Sequence, residues 1–116
     1  MRFILSVAFA VIPSFALAGE YDGIYRPVDY KDWDCKNVGM DGGALQIKDG
    51  QFFGVESACD LTNPTPVRDM NATLFDMICS AEGETFSERI LIMHTEDGVL
   101  TVRDQGYVSE LTRCGQ

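Results

Sequence analysis

The stretch 42–59, Gly-Gly-Ala-Leu-Gln-Ile-Lys-Asp-Gly-Gln-Phe-Phe-Gly-Val-Glu-Ser-Ala-Cys, constrains this chain more than any other. An Asp-Gly pair between apolar alternations is a strong hairpin signal, because both residues tolerate the positive φ that a tight reversal demands. Two registers compete. A two-residue loop, Asp49-Gly50, sets Ile47 against Phe52 and Leu45 against Gly54. The core face then carries Glu56, and Phe53 and Val55 point to solvent. A three-residue loop, Lys48-Asp49-Gly50 with Gly50 as a left-handed bulge, sets Ile47 against Gln51 and Leu45 against Phe53. That register gathers Leu45, Ile47, Phe53, Val55 and Cys59 on one face. A one-residue slip exchanges the two faces. Each buried apolar side chain is worth roughly 1.5–3 kcal/mol, so the three-residue register is the expected one.

The hairpin belongs to an exported domain. Met1-Arg2 gives a short positive start, residues 3–17 are almost wholly apolar, and Ala16-Leu17-Ala18 forms a small-x-small cleavage site. This is the pattern of a secretory signal peptide, and the apolar run falls short of the ~20 residues a membrane-spanning helix needs. The expected organisation is therefore a cleaved leader, 1–18, and one domain, 19–116, in the periplasm or secreted, with no stable membrane insertion after cleavage. Losing Arg2 leaves eight Lys and Arg against 18 Asp and Glu, a net charge of −10 on 98 residues. Such a surface repels nucleic acid and anionic lipid, keeps a small protein soluble as a monomer, and favours cationic partners.

Four cysteines, Cys35, Cys59, Cys79 and Cys114, survive cleavage. An even count in a small exported domain implies two disulfides, and three pairings are open. The hairpin favours Cys35–Cys59, since Cys35 precedes its first strand and Cys59 ends its second; Cys79–Cys114 then follows. A plain up-and-down strand order argues the other way, because it sets Cys79 and Cys114 far apart in the sheet.

Around the hairpin the chain reads as short strands. Residues 23–26 form a candidate strand stopped by Pro27, and 28–40 is an acidic connector in which Trp33, beside Cys35, is expected to pack over the disulfide. Residues 60–71 read as loop, because the prolines of Asn63-Pro64-Thr65-Pro66 lack the N–H a ladder interior needs. Asn71-Ala72-Thr73 matches a glycosylation acceptor. Residues 73–79 alternate, with Thr73, Phe75, Met77 and Cys79 on one face. A turn at Gly83, the strand 86–94 with Ile90-Leu91-Ile92-Met93 apolar on both faces, a second Asp-Gly turn at 97–98, the strand 99–103, a turn at 104–106 and a last strand, 107–113, complete the chain. Six to eight short strands, mostly sequential hairpins with no helical period, predict an all-β fold: a small antiparallel β-barrel with two disulfides, or else a two-sheet sandwich.

Chemistry-bearing patterns are sparse. The single histidine, His94, ends an apolar strand, and none of Ser57, Ser80, Ser87 and Ser109 sits in a nucleophile elbow. Bridged cysteines offer no thiolate. One histidine is too few for a zinc site, and the carboxylates Asp32, Asp34 and Asp41, or Glu82 and Glu84, do not follow a calcium-loop pattern. No catalytic residue, metal or cofactor is therefore expected. Phosphate loops and basic aromatic patches are missing from the pattern too.

Trp33-Asp34-Cys35, Gly43-Ala44-Leu45-Gln46-Ile47, Gly54-Val55-Glu56-Ser57-Ala58-Cys59, Cys79-Ser80-Ala81-Glu82-Gly83-Glu84 and Arg113-Cys114 together resemble a group of small exported bacterial proteins. That group shares Glu-Ser-x-Cys, Cys-x-x-Glu-Gly and a closing Arg-Cys. The resemblance implies a disulfide-linked periplasmic β-domain and no particular activity. In size, export and barrel reading the chain is also similar to the periplasmic lysozyme inhibitors, although their Ser-Gly-x-x-Tyr segment does not occur in it. The expected function is a non-catalytic binding domain for a cationic protein or a small ligand, an inhibitor of a cationic hydrolase such as lysozyme being its sharpest form. A small hydrolase using Glu56, Glu82 and Glu84, and an envelope structural or stress protein, are the alternatives.

Overall fold

The computed structural model describes residues 19–115; the expected signal peptide, 1–18, lies outside them. Eight strands follow one another around a closed barrel: β1 (Gly23–Pro27), β2 (Leu45–Lys48), β3 (Gln51–Gly54), β4 (Ser57–Pro66), β5 (Ala72–Ala81), β6 (Glu84–His94), β7 (Gly98–Arg103) and β8 (Val108–Arg113). Every strand pairs antiparallel with its neighbours in sequence, and β1 closes the barrel on β8 through Tyr25↔Arg113, Arg26↔Thr112 and Pro27↔Leu111. The all-β barrel expected from sequence is thus the fold, and it is a single closed sheet rather than a sandwich. Closure leaves no full-length edge for another chain to pair with.

The alternation of the strands fills the interior. Tyr25, Cys79, Met77, Ile90, Ile92, Val99 and Leu111 are fully buried, so the middle of the barrel is packed with its own side chains. Ile90 and Ile92 point inward, while Leu91 and Met93 lie half-buried on the outer face. Gly98 opens β7 for a steric reason: a Cβ there would stand 2.0 Å from the Leu111 carbonyl oxygen on β8.

The Asp49-Gly50 hairpin takes the other register. Asp49 and Gly50 alone form the loop, both at positive φ (52° and 78°), and Ile47 pairs with Phe52. Phe52 is buried, Phe53 points outward half-buried, and Val55 is exposed. The three-residue loop is overturned because the second strand does not run on to Cys59. It ends at Gly54, the chain reverses over Val55-Glu56, and Ser57 pairs back on Gly54. Glu56 never reaches the core face, so the objection to the two-residue loop disappears.

The same reversal corrects the disulfide pairing. Cys59 lies not at the end of the first hairpin but on β4, in register with Cys79 on β5, and these two buried residues are bridged. Cys35 is bridged to Cys114, which follows β8 and donates its N–H to the Ile24 carbonyl. The β1–β2 connector leaves β1 at Pro27 and must fold back along the wall to bring Cys35 there. Trp33 in this connector stacks on Tyr30, with ring centroids 5.4 Å apart.

Residues 60–66, expected as loop, belong to β4. The ladder to β5 absorbs Asn63-Pro64 as an irregularity between Thr62 and Thr65, with Asn63 at φ 51°, and resumes at Thr65↔Leu74. On its other side β4 has no partner beyond Asp60, which pairs with Gln51. The missing proline N–H groups therefore cost no ladder bond on that side. The strands elsewhere begin or end within two residues of the sequence reading.

Candidate functional site

An up-and-down barrel sorts its connections to two ends. The β1–β2 connector and the β3–β4, β5–β6 and β7–β8 turns share the upper end. The β2–β3, β4–β5 and β6–β7 connections share the lower end with residues 19–22.

The upper end carries an open groove of about 500 Å³. Its floor is a row of register partners on the outer face, Phe53, Ala58 and Ser80, from β3, β4 and β5. Val38 and Gly39 of the connector form one wall. They are held by the Val38↔Ala44 bridge and by the Glu56 N–H, which donates to the Gly39 carbonyl at 2.7 Å. Two turns close the groove at its end, one bearing Glu56 and the other Glu82-Gly83. Both glutamates hold left-handed backbone, each at φ 51°, at the tips of two-residue reversals. Both are exposed, and among the described residues no Lys, Arg or His lines the groove. Glu84 pairs with Ala81 across the β5–β6 turn and does not line it.

The arrangement suits a basic side chain. The Phe53 and Ala58 side chains take the methylene stem of Lys or Arg, and the carboxylates take its charged head. It suits acid–base chemistry less well, since a carboxyl acting as a general acid at neutral pH is usually buried against apolar groups, and these two stand in water.

At the lower end His94 is part of the packing. Its ring stacks on Tyr21 (centroids 4.4 Å apart, planes at 18°), and its Nε2 is 3.5 Å from Glu20. The Tyr21 hydroxyl is hydrogen-bonded to Thr73 Oγ1 at 2.9 Å, and the Tyr25 hydroxyl donates to the Tyr21 carbonyl. Burial raises the phenol pKa of both tyrosines, the Thr73 bond opposing it at Tyr21 and Arg113 at Tyr25. The bonded, buried Thr73 hydroxyl also belongs to the glycosylation pattern, which is thereby occupied on its threonine side. Ser57, Ser80, Ser87 and Ser109 all stand toward the upper end, far from His94 along the barrel axis.

Asp34 of the connector and Asp76 of β5 are held in local hydrogen-bond networks. Asp34 Oδ1 accepts the backbone N–H groups of Lys36 and Asn37, and Oδ2 accepts the Asn37 side-chain amide. Those bonds hold its pKa below the usual carboxylate value. Asp76 is held low likewise, by the Asn63 side-chain amide first and then by Arg89. Among the described residues no three His, Cys, Asp or Glu side chains are gathered to hold a metal ion, and every cysteine is bridged. The groove was hidden from sequence reading because its floor depends on Phe53 facing outward, the register that reading set aside.

Compared with known proteins, the chain matches no family model, no curated protein and no solved structure.

Proposed function

We propose that this chain is a non-catalytic, exported binding domain whose upper groove receives a basic side chain of a cationic protein, a secreted hydrolase such as lysozyme being the sharpest case. The observation that carries the reading is that Glu56 and Glu82 both line one groove floored by Phe53, Ala58 and Ser80, with no basic residue in its lining among the described residues. Three further facts support it. The two disulfides fit a non-cytoplasmic compartment. The net charge of −9 on the whole chain would steer a cationic partner toward it. The turns bearing the glutamates are rooted in a disulfide-bridged, closed sheet, so little ordering cost accompanies binding.

Titrating lysozyme activity with the purified protein tests this directly. Inhibition near stoichiometric ratio, weakened by salt and lost in the E56Q/E82Q double variant, is the expected result. No inhibition at micromolar excess would remove the hydrolase version.

The shared groove also keeps a second reading, a small hydrolase using Glu56 and Glu82. Hydrolysis of chromogenic glycosides, abolished by either E56Q or E82Q alone, would favour it over the first.

A further inference from the structure

The lower end holds a second concavity, of about 290 Å³, that owes nothing to the groove. It exists because the wall is incomplete there. β3 starts at Gln51, paired with Asp60, whereas β4 runs on to Pro66. The Leu61 N–H still reaches the Gly50 carbonyl at 2.8 Å; beyond it, Pro64 and Pro66 border an opening that no strand fills. Two prolines on that border also prevent another strand from adding there.

The lining is apolar inside and acidic outside. Ile47, Leu61 and Phe75 form the walls, and Tyr21 turns its ring inward, edge-on to Phe75 with centroids 6.2 Å apart. The only hydroxyls in the lining, those of Tyr21 and Thr73, are bonded to each other, so the interior asks for no polar atom from a ligand. Among the described residues Glu20 and Asp22 are the only charged side chains in the lining. Among the basic side chains nearby, Arg113 donates to the Tyr25 hydroxyl, His94 stacks on Tyr21 while facing Glu20, and Arg68 stands 3.9 Å from Asp69; Lys48, beside Ile47 and Gly50 on the β2–β3 turn, is exposed and does not line the opening. Processing after Ala18 would add one α-ammonium at Gly19 and still leave the rim one negative charge in excess.

We propose that this end of the barrel is a binding site for a small amphiphilic cation, with its apolar body among Ile47, Leu61 and Phe75 and its ammonium group against Glu20 and Asp22. The volume lies just below the range of drug-sized pockets, so the ligand is a short alkyl or aryl amine rather than a lipid. The site stands independently of the protein-binding groove: no residue lines both, and along β4 the groove uses Ser57 and Ala58 whereas this site uses Leu61, Pro64 and Pro66.

The test uses three probes with one apolar body: n-octylammonium, n-octanol and n-octanoate. Calorimetric titration should show octylammonium binding at least tenfold tighter than octanoate, with octanol between them. Amide shifts in a two-dimensional NMR spectrum should concentrate at 47, 61 and 73–75. The E20Q/D22N variant, which changes only rim residues, should bring the three affinities together while keeping the same shifts. The E56Q/E82Q variant should bind octylammonium unchanged, which separates this site from the groove. Equal affinity for all three probes in the native protein, shifts confined to the upper end, or no octylammonium binding at millimolar concentration would each overturn the proposal.

Discussion

Tyr25 and Arg113 are register partners across the seam that closes the barrel, and they are joined twice. Arg113 Nη2 donates to the Tyr25 hydroxyl at 2.9 Å, and the guanidinium carbon lies 5.3 Å from the centre of the tyrosine ring. The same hydroxyl donates onward to the Tyr21 carbonyl, so one phenol ties the first strand, the last strand and the segment just before β1 together. The seam itself is short, three register pairs, which makes this side-chain link matter to it. Tyr25→Phe keeps the buried ring but leaves the Tyr21 carbonyl and the Arg113 donor without their partner. It should cost about 1–3 kcal/mol, read as a lower urea midpoint with an unchanged slope. An unchanged midpoint would show that water replaces the hydroxyl without loss.

The two disulfides make different demands on the unfolded chain. Cys35–Cys114 closes a separation of 79 residues and Cys59–Cys79 one of 20. On the chain-entropy account, opening the longer loop costs about 4–5 kcal/mol and the shorter about 3 kcal/mol. Cys35 and Cys114 also lie outside the core, so C35A/C114A isolates the entropic effect, whereas C59A/C79A adds the loss of two buried side chains. Peptide mapping without reduction checks the pairing first. It should release one linked pair containing Cys35 and Cys114 and another containing Cys59 and Cys79. A fragment joining Cys35 to Cys59 would contradict the fold.

Phe52 and Phe53 are adjacent, equally large and differently placed, which turns the hairpin register into a measurement. Phe52 packs inward against the core with Ile47 and Cys59, and Phe53 floors the upper groove. Phe52→Ala should cost about 3–5 kcal/mol. Phe53→Ala should cost clearly less and should weaken whatever the groove binds. The reverse order, read from paired thermal or urea melts, would restore the three-residue loop.

That pair also marks where the sequence was legible. Alternation and Asp-Gly turns were enough for an all-β barrel of sequential hairpins, because strand periodicity and turn chemistry are local. The register failed on Val55-Glu56. Its left-handed residue is a glutamate, at φ 51°, so the reversal lacks the glycine that announces the turns at Gly50 and Gly83. One unseen turn then misplaced Cys59, and with it the disulfides and the outward face that becomes the groove. The prolines misled in a different way. Pro64 and Pro66 forbid a two-sided ladder, but β4 has a partner on one side only at that point, and this follows from the length of β3, which is not local to the prolines.

Asp34 and Asp76 each give the fold a pH-dependent contribution on the acid side. Both have pKa values below the usual carboxylate value in the folded protein, Asp34 through the backbone N–H groups of Asn37 and Lys36, and Asp76 through Asn63 and Arg89. At pH values between the folded and unfolded pKa the unfolded chain binds more protons than the native one, so stability rises with pH across that window. Their contribution is therefore complete above the unfolded carboxylate value of about 3.9 and is lost as pH falls through the lower folded values. The native protein should hold a constant urea midpoint down to about pH 5 on their account, then weaken below pH 4. Asp76→Asn removes the ionisable group that the Asn63 amide and Arg89 address across the β4 irregularity. Its deficit relative to the native protein should be largest at neutral pH and shrink as the pH falls below 4. A deficit that stays constant down to pH 2 would mean that the Asp76 bonds act through their geometry alone and that its charge contributes nothing.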